Sequence, residues 1–220
     1  MSEILCTFAA QNKIVGMRIF SHIISDLFTP LLVPTYGIFI SLWLSVFYYV
    51  LPFGTRLTVL LTVFGITFIM PSVLIAALHN FKFIEDKRLV KRTERYIPYA
   101  FTVLCYIGAV CYLNHIHAQM WMLLSMGAAA VAVLVCSIVN LWWKVSAHSC
   151  GMGGLLALIW AMHDLDFGAT DLFPVLLVGI VLCGLVGTAR LALGRHTFGQ
   201  VFVGWLIGFV IEYATMMLMY

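Results

Sequence analysis

Long apolar runs recur along the whole chain and restrict it to one kind of fold. Hydrophobic residues make up 63% of the 220 residues and charged residues only 10%, too few polar groups to cover the surface of a soluble domain. A helix needs about 20 apolar residues to cross a bilayer. Runs near this length predict spans at 33–51, 57–79, 98–113, 118–140, 149–163, 172–189 and 199–219. The sequence therefore predicts an integral membrane protein with an all-α fold, a polytopic bundle of about six to seven transmembrane helices.

Residues 1–28 have a different pattern from these runs. Polar side chains are spaced among Ile, Met and Phe, at Lys13, Arg18, His22 and Asp26. This pattern predicts an N-terminal amphipathic helix that lies at the membrane interface. A cleaved signal peptide is disfavoured because no small-residue cleavage site follows a clear apolar core.

The chain shows no long linker, low-complexity tract or internal repeat. We therefore expect a single integral membrane domain over residues 1–220, with the transmembrane bundle in 33–219. Two groups of glycines predict close packing between helices rather than function. They are Gly204 with Gly208, and Gly151 with Gly153 and Gly154.

The hydrophilic segments alternate between two sides if each run crosses the membrane once. Face X is the side that carries 1–32, 80–97, 141–148 and 190–198; face Y carries 52–56, 114–117, 164–171 and Tyr220. Eleven of the twelve lysines and arginines then lie on face X, which the positive-inside tendency would make cytoplasmic. Cations kept for phosphate binding would give the same count, so the orientation stays open.

Three clusters of polar residues fall on face X. In the first, Arg88 and Arg95 stand seven residues apart, on one side of a helix. In the second, Ser146 and His148 open a span, where the unpaired N–H groups of a helix start attract anions. The third extends from Arg190 through His196 to Gln200. Arginines, a helix start and two histidines together suit the binding and transfer of a phosphate.

The order and spacing of these residues resemble a known family, the membrane branch of the type-2 phosphatidic acid phosphatases, or lipid phosphate phosphatases. The family's motifs read Lys-x6-Arg-Pro, Pro-Ser-Gly-His and Ser-Arg-x5-His-x3-Asp. The matching residues are Arg88, Arg95 and Tyr96 for the first motif, Val145 to His148 for the second, and Ala189, Arg190, His196 and Gln200 for the third. The phosphatase-like core spans residues 85 to 205.

The resemblance implies hydrolysis of a lipid phosphate or diphosphate monoester in two steps. His196 would be the nucleophile and form a phosphohistidine, and His148 would be the general acid and base. Arg88, Arg95, Arg190 and Ser146 would bind the phosphate. No metal and no cofactor is expected, and the partners would be the lipid substrate and membrane lipids, without nucleic acid. The short termini and compact size suit a bacterial cytoplasmic membrane.

Gln200 is the main departure from the family pattern, which has an aspartate that orients the nucleophilic histidine. A glutamine carbonyl can still accept the imidazole N–H, but it offers no negative charge, and by analogy with hydrolase triads the loss could approach about 10⁴-fold. Two alternatives therefore stay open. One is a non-catalytic lipid-phosphate-binding membrane protein of the same fold. The other is a metal site on face Y, made by residues 114–117 and 163–166.

Overall fold

The chain is all-helical in the part that is described. The computed structural model describes residues 2–218 apart from 87, 88 and 90, and every regular element among them is a helix. The helices are α1 (Ser2–Leu27), α2 (Val33–Trp43), α3 (Phe53–Asn80), α4 (Tyr96–His115), α5 (Met120–Val139), α6 (Ala147–Asp164), α7 (Phe173–Ala192) and α8 (Phe198–Met217). The predicted all-α bundle is confirmed.

Five helices are long and apolar enough to cross a membrane: α3, α4 with the turn before it, α5, α7 and α8. The chain is therefore an integral membrane protein with several spans.

The predicted span at 33–51 is wrong, because α2 ends at Trp43 after 11 residues, a length of about 16 Å. The chain then leaves the helix to pair with a loop: the Val46 N–H donates to the Phe167 carbonyl over 3.1 Å, and the Ala169 N–H donates to the Leu44 carbonyl over 2.8 Å.

Helix α6 lies at the centre of the bundle, in contact with α2, α5, α7 and α8. Most of it is buried, from Ser149 to Met162, and His148, His163 and Asp164 near its ends lower its hydropathy below that of the five spans. Its 18 residues give a length of about 27 Å. Counting α6 with the five apolar helices gives six, at the lower limit of the predicted six to seven.

The contact between α6 and α8 depends on glycines. A Cβ atom added at Gly153 would lie 2.2 Å from the Trp205 carbonyl oxygen, and one at Gly208 would lie 1.9 Å from that of Cys150. At Gly204 it would lie 2.5 Å from the carbonyl oxygen of Ser146. These distances leave no room for a side chain, so the two helix backbones touch. The prediction that Gly153, Gly204 and Gly208 serve helix packing is confirmed.

Helix α1 packs along α7 with its polar side inward. Ser21 and Ser25 are buried, whereas Met17, Phe20 and Ile23 are exposed on the outer side. The polar residues of this helix therefore point to the end of the bundle that carries face X. Its location at the membrane interface stays a prediction.

Helix α3 contains one π-helical turn, Gly65–Ile69. The Thr67 hydroxyl donates to the Val63 carbonyl over 2.9 Å and lies 3.4 Å from the Thr35 hydroxyl of α2. A π turn widens the helix by one residue and changes the direction of the side chains that follow. The residues after this turn face the cavity described next.

Candidate active site

A cavity of about 410 Å³ opens at face X and collects all three polar clusters. Residues of α1, α3 and α4, the start of α6 and the segment from the end of α7 to His196 line it. Its cationic and imidazole side chains are His22, Arg95, Lys144, His148, Arg190, Arg195 and His196. Residues from widely separated parts of the chain, from α1 to the segment before α8, thus surround one space.

His196 lies directly before α8 and is almost completely buried, with 8% of its surface exposed. The Gln200 Oε1 atom lies 3.2 Å from His196 Nδ1 and accepts the Thr197 backbone N–H over the same distance. The Thr197 N–H can only donate, so the side-chain atom of Gln200 that it contacts must be the oxygen. That same oxygen can only accept a hydrogen bond from His196. The Nδ1 atom therefore carries the hydrogen, and the lone pair of Nε2 is left for other chemistry.

The environment of His196 favours its neutral form. Burial, followed by the positive charges of Arg190, Arg95 and Lys144, lowers the pKa of His196 to about 3, and the Gln200 contact offsets only part of this. The imidazole is therefore neutral across the physiological range, as a nucleophile must be.

His148 is the second residue of α6 and faces the same cavity. Its Nε2 atom lies 3.2 Å from the backbone carbonyl oxygen of Ser25. This carbonyl belongs to the last turn of α1, where carbonyls lack helical partners. Burial and the charges of Arg190 and His196 lower the pKa of His148 well below its ordinary value, whereas the Ser25 contact raises it.

Arg95 joins two of the polar clusters. Its guanidinium donates from Nε to the Leu89 carbonyl over 2.9 Å and from Nη1 to the Val145 carbonyl over 3.2 Å. The Asn140 side chain also donates to the Arg92 carbonyl over 3.0 Å. The segment before α4 is thereby fastened to the loop before α6. Arg88, the other predicted cation of this cluster, lies outside the described residues.

Ser146 has a structural position rather than one on the cavity wall. It is fully buried, and its hydroxyl caps α6 by accepting from the Ser149 N–H and hydroxyl over 3.3 and 2.9 Å. Its own N–H donates to the Gln200 backbone carbonyl over 3.2 Å. This bond ties the helix start that carries His148 to the one that carries His196. The predicted role of Ser146 as a phosphate ligand stays a prediction.

Several residues of the cavity were not among the predicted site residues: Ser25, His22, Asp26, Lys144 and Arg195. The sequence could have indicated Lys144 and Arg195 as site residues, because each is a cation within four residues of a motif histidine. Burial and the neighbouring arginines lower the pKa of Lys144. The α1 residues could not be predicted in this way, because the spacing of residues in the sequence does not show that α1 lies next to the start of α6.

The second alternative, a metal site on face Y, requires a cluster of metal-binding side chains. Among the described residues, no group of three or more His, Cys, Asp or Glu is placed to hold a metal ion. On face Y the Asp164 carboxylate accepts from the Tyr213 hydroxyl over 2.8 Å.

Comparison with known proteins gives one match. Residues 125–220 match the family model described as the PAP2 superfamily, a region that contains the second and third motifs but not the first. No curated protein and no solved structure matches the chain. The match supports hydrolysis of a lipid phosphate at the level of the family. It agrees with the resemblance predicted from the motifs: residues 125–220 are similar to the PAP2 superfamily, whose members are generally phosphatases.

Proposed function

We propose that this protein hydrolyses a lipid phosphate or diphosphate monoester through a phosphohistidine on His196, without a metal. The observation that carries the proposal is the cationic cavity in which Gln200 holds Nδ1 of one histidine while a second histidine lies at a helix start beside it. A neutral imidazole with a free Nε2 atom, surrounded by arginines, suits attack on a phosphoryl group.

In the first step, His196 Nε2 attacks phosphorus, so that an N–P bond forms as the P–O bond to the lipid breaks. The negative charge of the bound phosphate favours the protonated form of His148, which gives its proton to the departing alkoxide, so that a lipid alcohol leaves. In the second step, a water molecule attacks the phosphohistidine and loses its proton to His148. Inorganic phosphate leaves, and both histidines return to their starting states.

Arg95 and Arg190 are proposed to neutralise the charge on the equatorial phosphoryl oxygens. Arg95 is suited to this role because two backbone carbonyls already hold its guanidinium in place. Lys144 and Arg195 add positive charge around the same cavity. Arg88 is retained as a proposed ligand from its place in the motif.

The decisive measurement is phosphate release by the detergent-purified protein in EDTA from phosphatidate, phosphatidylglycerophosphate, an isoprenyl diphosphate and a phosphorylated lipid A. His196→Ala should abolish release, whereas His115→Ala, an exposed histidine at the other end of α4, should not. Quenching during turnover should trap an acid-labile phosphorylated protein in the wild type. Release that stops in EDTA and returns with a divalent cation would contradict the metal-independent scheme.

A second candidate function is a non-catalytic lipid-phosphate-binding protein. The neutral Gln200 favours it, since the side chain that contacts His196 Nδ1 has no negative charge to stabilise a cationic His196. Binding of the same lipids without release of phosphate, by the wild type and by Gln200→Asp alike, would favour the binding protein.

A further inference from the structure

A second cavity lies beside the phosphate-binding cavity, deeper in the bundle. It is lined by residues of α2, α5, α6 and α8, and Pro30 and Ala147 line both cavities. Ala147 directly precedes His148 in the chain. The second cavity is therefore adjacent to the site that holds the two histidines.

The walls of this second cavity are almost entirely apolar. Small residues contribute to its lining, including Gly37, Ala129, Gly151, Gly154 and Gly208. Its volume of about 80 Å³ makes it a narrow channel that suits one extended hydrocarbon chain. Apolar cavities exclude water and accept apolar guests.

Two polar residues, Ser125 and Glu212, line the deep end of the channel. Glu212 follows the start of α8 by 14 residues, and Ser125 precedes the end of α5 by the same number, which places both about 21 Å below face X. The Ser125 side chain lies beside the Glu212 carboxyl.

Glu212 lines the channel, and part of the hydrogen-bonding capacity of its carboxyl is unused. Only 5% of its surface is exposed, and its Oε1 atom has no hydrogen-bond partner among the described residues. A buried polar atom of this kind costs free energy, and an ionisable residue inside a membrane marks a functional position.

We propose that this channel binds one apolar chain of the substrate and that Glu212 with Ser125 forms a polar end wall that limits the length of that chain. The inference rests on the proposed function, because the phosphate site forms the mouth of the channel. Each methylene group that enters the channel gains packing contacts with its apolar walls. A chain long enough to reach Glu212 places its apolar end against a polar wall that cannot hydrogen-bond to it, which costs free energy. The substrate class is therefore a lipid phosphate with a single long chain.

The test is a chain-length profile of kcat/KM with octyl, dodecyl, hexadecyl and eicosyl phosphate, with para-nitrophenyl phosphate as a chainless substrate. In the wild type, kcat/KM should rise with length and then fall once the extended chain exceeds the channel. Glu212→Ala should move the maximum to longer chains. A flat profile, or an unchanged maximum in Glu212→Ala, would overturn the proposal.

A blocked channel supplies the matched comparison. Ala129→Phe fills the channel from α5 and should lower kcat/KM for hexadecyl phosphate at least about tenfold, equivalent to the loss of about two buried methylene groups, without affecting para-nitrophenyl phosphate. Val131→Phe places the same ring on an exposed position of the same helix and should change neither. Equal effects of the two variants on hexadecyl phosphate would count against the channel.

A binding experiment separates failure of the channel from failure of catalysis. Hexadecyl phosphate with a terminal diazirine is photolysed on the His196→Ala protein, and the labelled peptides are identified by mass spectrometry. Label on the parts of α5 and α8 near Ser125 and Glu212 supports the channel even if no substrate is ever hydrolysed. Label confined to the outer faces of α3 and α4 would overturn it, even in an active phosphatase.

Discussion

The Nε2 atom of His148 lies 3.2 Å from the carbonyl oxygen of Ser25, so the second histidine of the site is held by an N-terminal helix far from it in sequence. The Ser25 carbonyl has the same relation to His148 as the Gln200 side chain has to His196. In both cases a neutral oxygen orients an imidazole, and neither oxygen carries a negative charge.

Displacing α1 should therefore change the chemistry of His148. Ser25 is buried, and its hydroxyl has no hydrogen-bond partner among the described residues, so Ser25→Ala should be harmless, whereas Ser25→Leu should push the carbonyl away. Because the carbonyl raises the pKa of His148, its loss lowers that pKa and leaves less of the protonated acid. We expect kcat to fall by about 10²-fold, the lower end of the range for general acid catalysis, and the alkaline limb of its pH profile to move to lower pH. A uniform loss of activity at all pH values would instead indicate a purely structural effect.

Substitutions of Gln200 should separate two effects on His196, the orientation of its ring and the presence of a negative charge beside it. Gln200→Leu removes the acceptor for His196 Nδ1–H and should lower kcat by about 10³-fold or more, because the wrong tautomer becomes accessible. Gln200→Asp restores a negative charge and should raise both kcat and the pKa of His196. Thr197→Ala removes a helix cap at the cost of about 1 kcal/mol but keeps the acceptor, so its pH profile should match the wild type. If Gln200→Leu retains full activity, the orienting role is wrong.

The depressed pKa of His196 makes stability depend on pH. The unfolded histidine binds a proton near pH 6.5, whereas the folded one does so only near pH 3. Stability is therefore fully present above about pH 6.5 and is lost as the pH falls toward 3, by up to about 1.4 kcal/mol per pH unit. His148 acts with the same sign. The Tm of the wild type should fall over this window more steeply than that of His196→Asn; parallel curves would contradict the assignment.

Replacing Arg95 by lysine should preserve its charge and remove its geometry. Lysine cannot donate to the Leu89 and Val145 carbonyls and to a phosphate together, so kcat/KM should fall about 10²-fold. Arg92→Lys is the matched control, because Arg92 contacts Asn140 through its backbone carbonyl and does not line the cavity. Steady-state kinetics with one lipid phosphate would check both variants. Equal activity of the two would show that Arg95 serves only as a point charge.

A methyl group at Gly204 should disturb the two histidines together. It would lie 2.5 Å from the Ser146 carbonyl oxygen and should cost about 1–3 kcal/mol through overpacking, with loss of activity because the starts of α6 and α8 shift. Gly184→Ala, where a Cβ meets no atom within 4 Å, should have wild-type Tm and activity. A stable and active Gly204→Ala protein would refute this account of the helix contact.

Hydropathy and motif spacing predicted the all-helical bundle and the convergence of the three clusters, because burial in lipid and helix periodicity are properties of local sequence. Hydropathy could not predict where α2 ends. Residues 33–51 are apolar throughout, but the chain leaves the helix at Trp43 to pair with residues 167–169. That pairing depends on a distant loop, and no local property encodes it.

The site was predictable to a similar extent. A glutamine four residues after His196 predicts an acceptor for its ring, and the structure has that contact. Two features could not be predicted from the sequence. The Ser25 contact is made by a backbone carbonyl, which every residue type has, and the channel is a space between four helices that depends on how they pack. Glu212, in the middle of an apolar run, is the one residue whose type alone could have drawn attention to that space.

The π turn in α3 puts the two halves of this helix out of phase. Phe68, within the turn, and Ser72, Ile75 and Ala76, beyond it, all line the phosphate-binding cavity. If the same residues formed an unbroken α-helix, the second half would be rotated by about 100°, the angle per residue of an α-helix. The same side chains would then face another direction, and the cavity would lose a wall although no residue in that wall had been replaced. One wall of the site is thus specified by residue count as much as by residue identity.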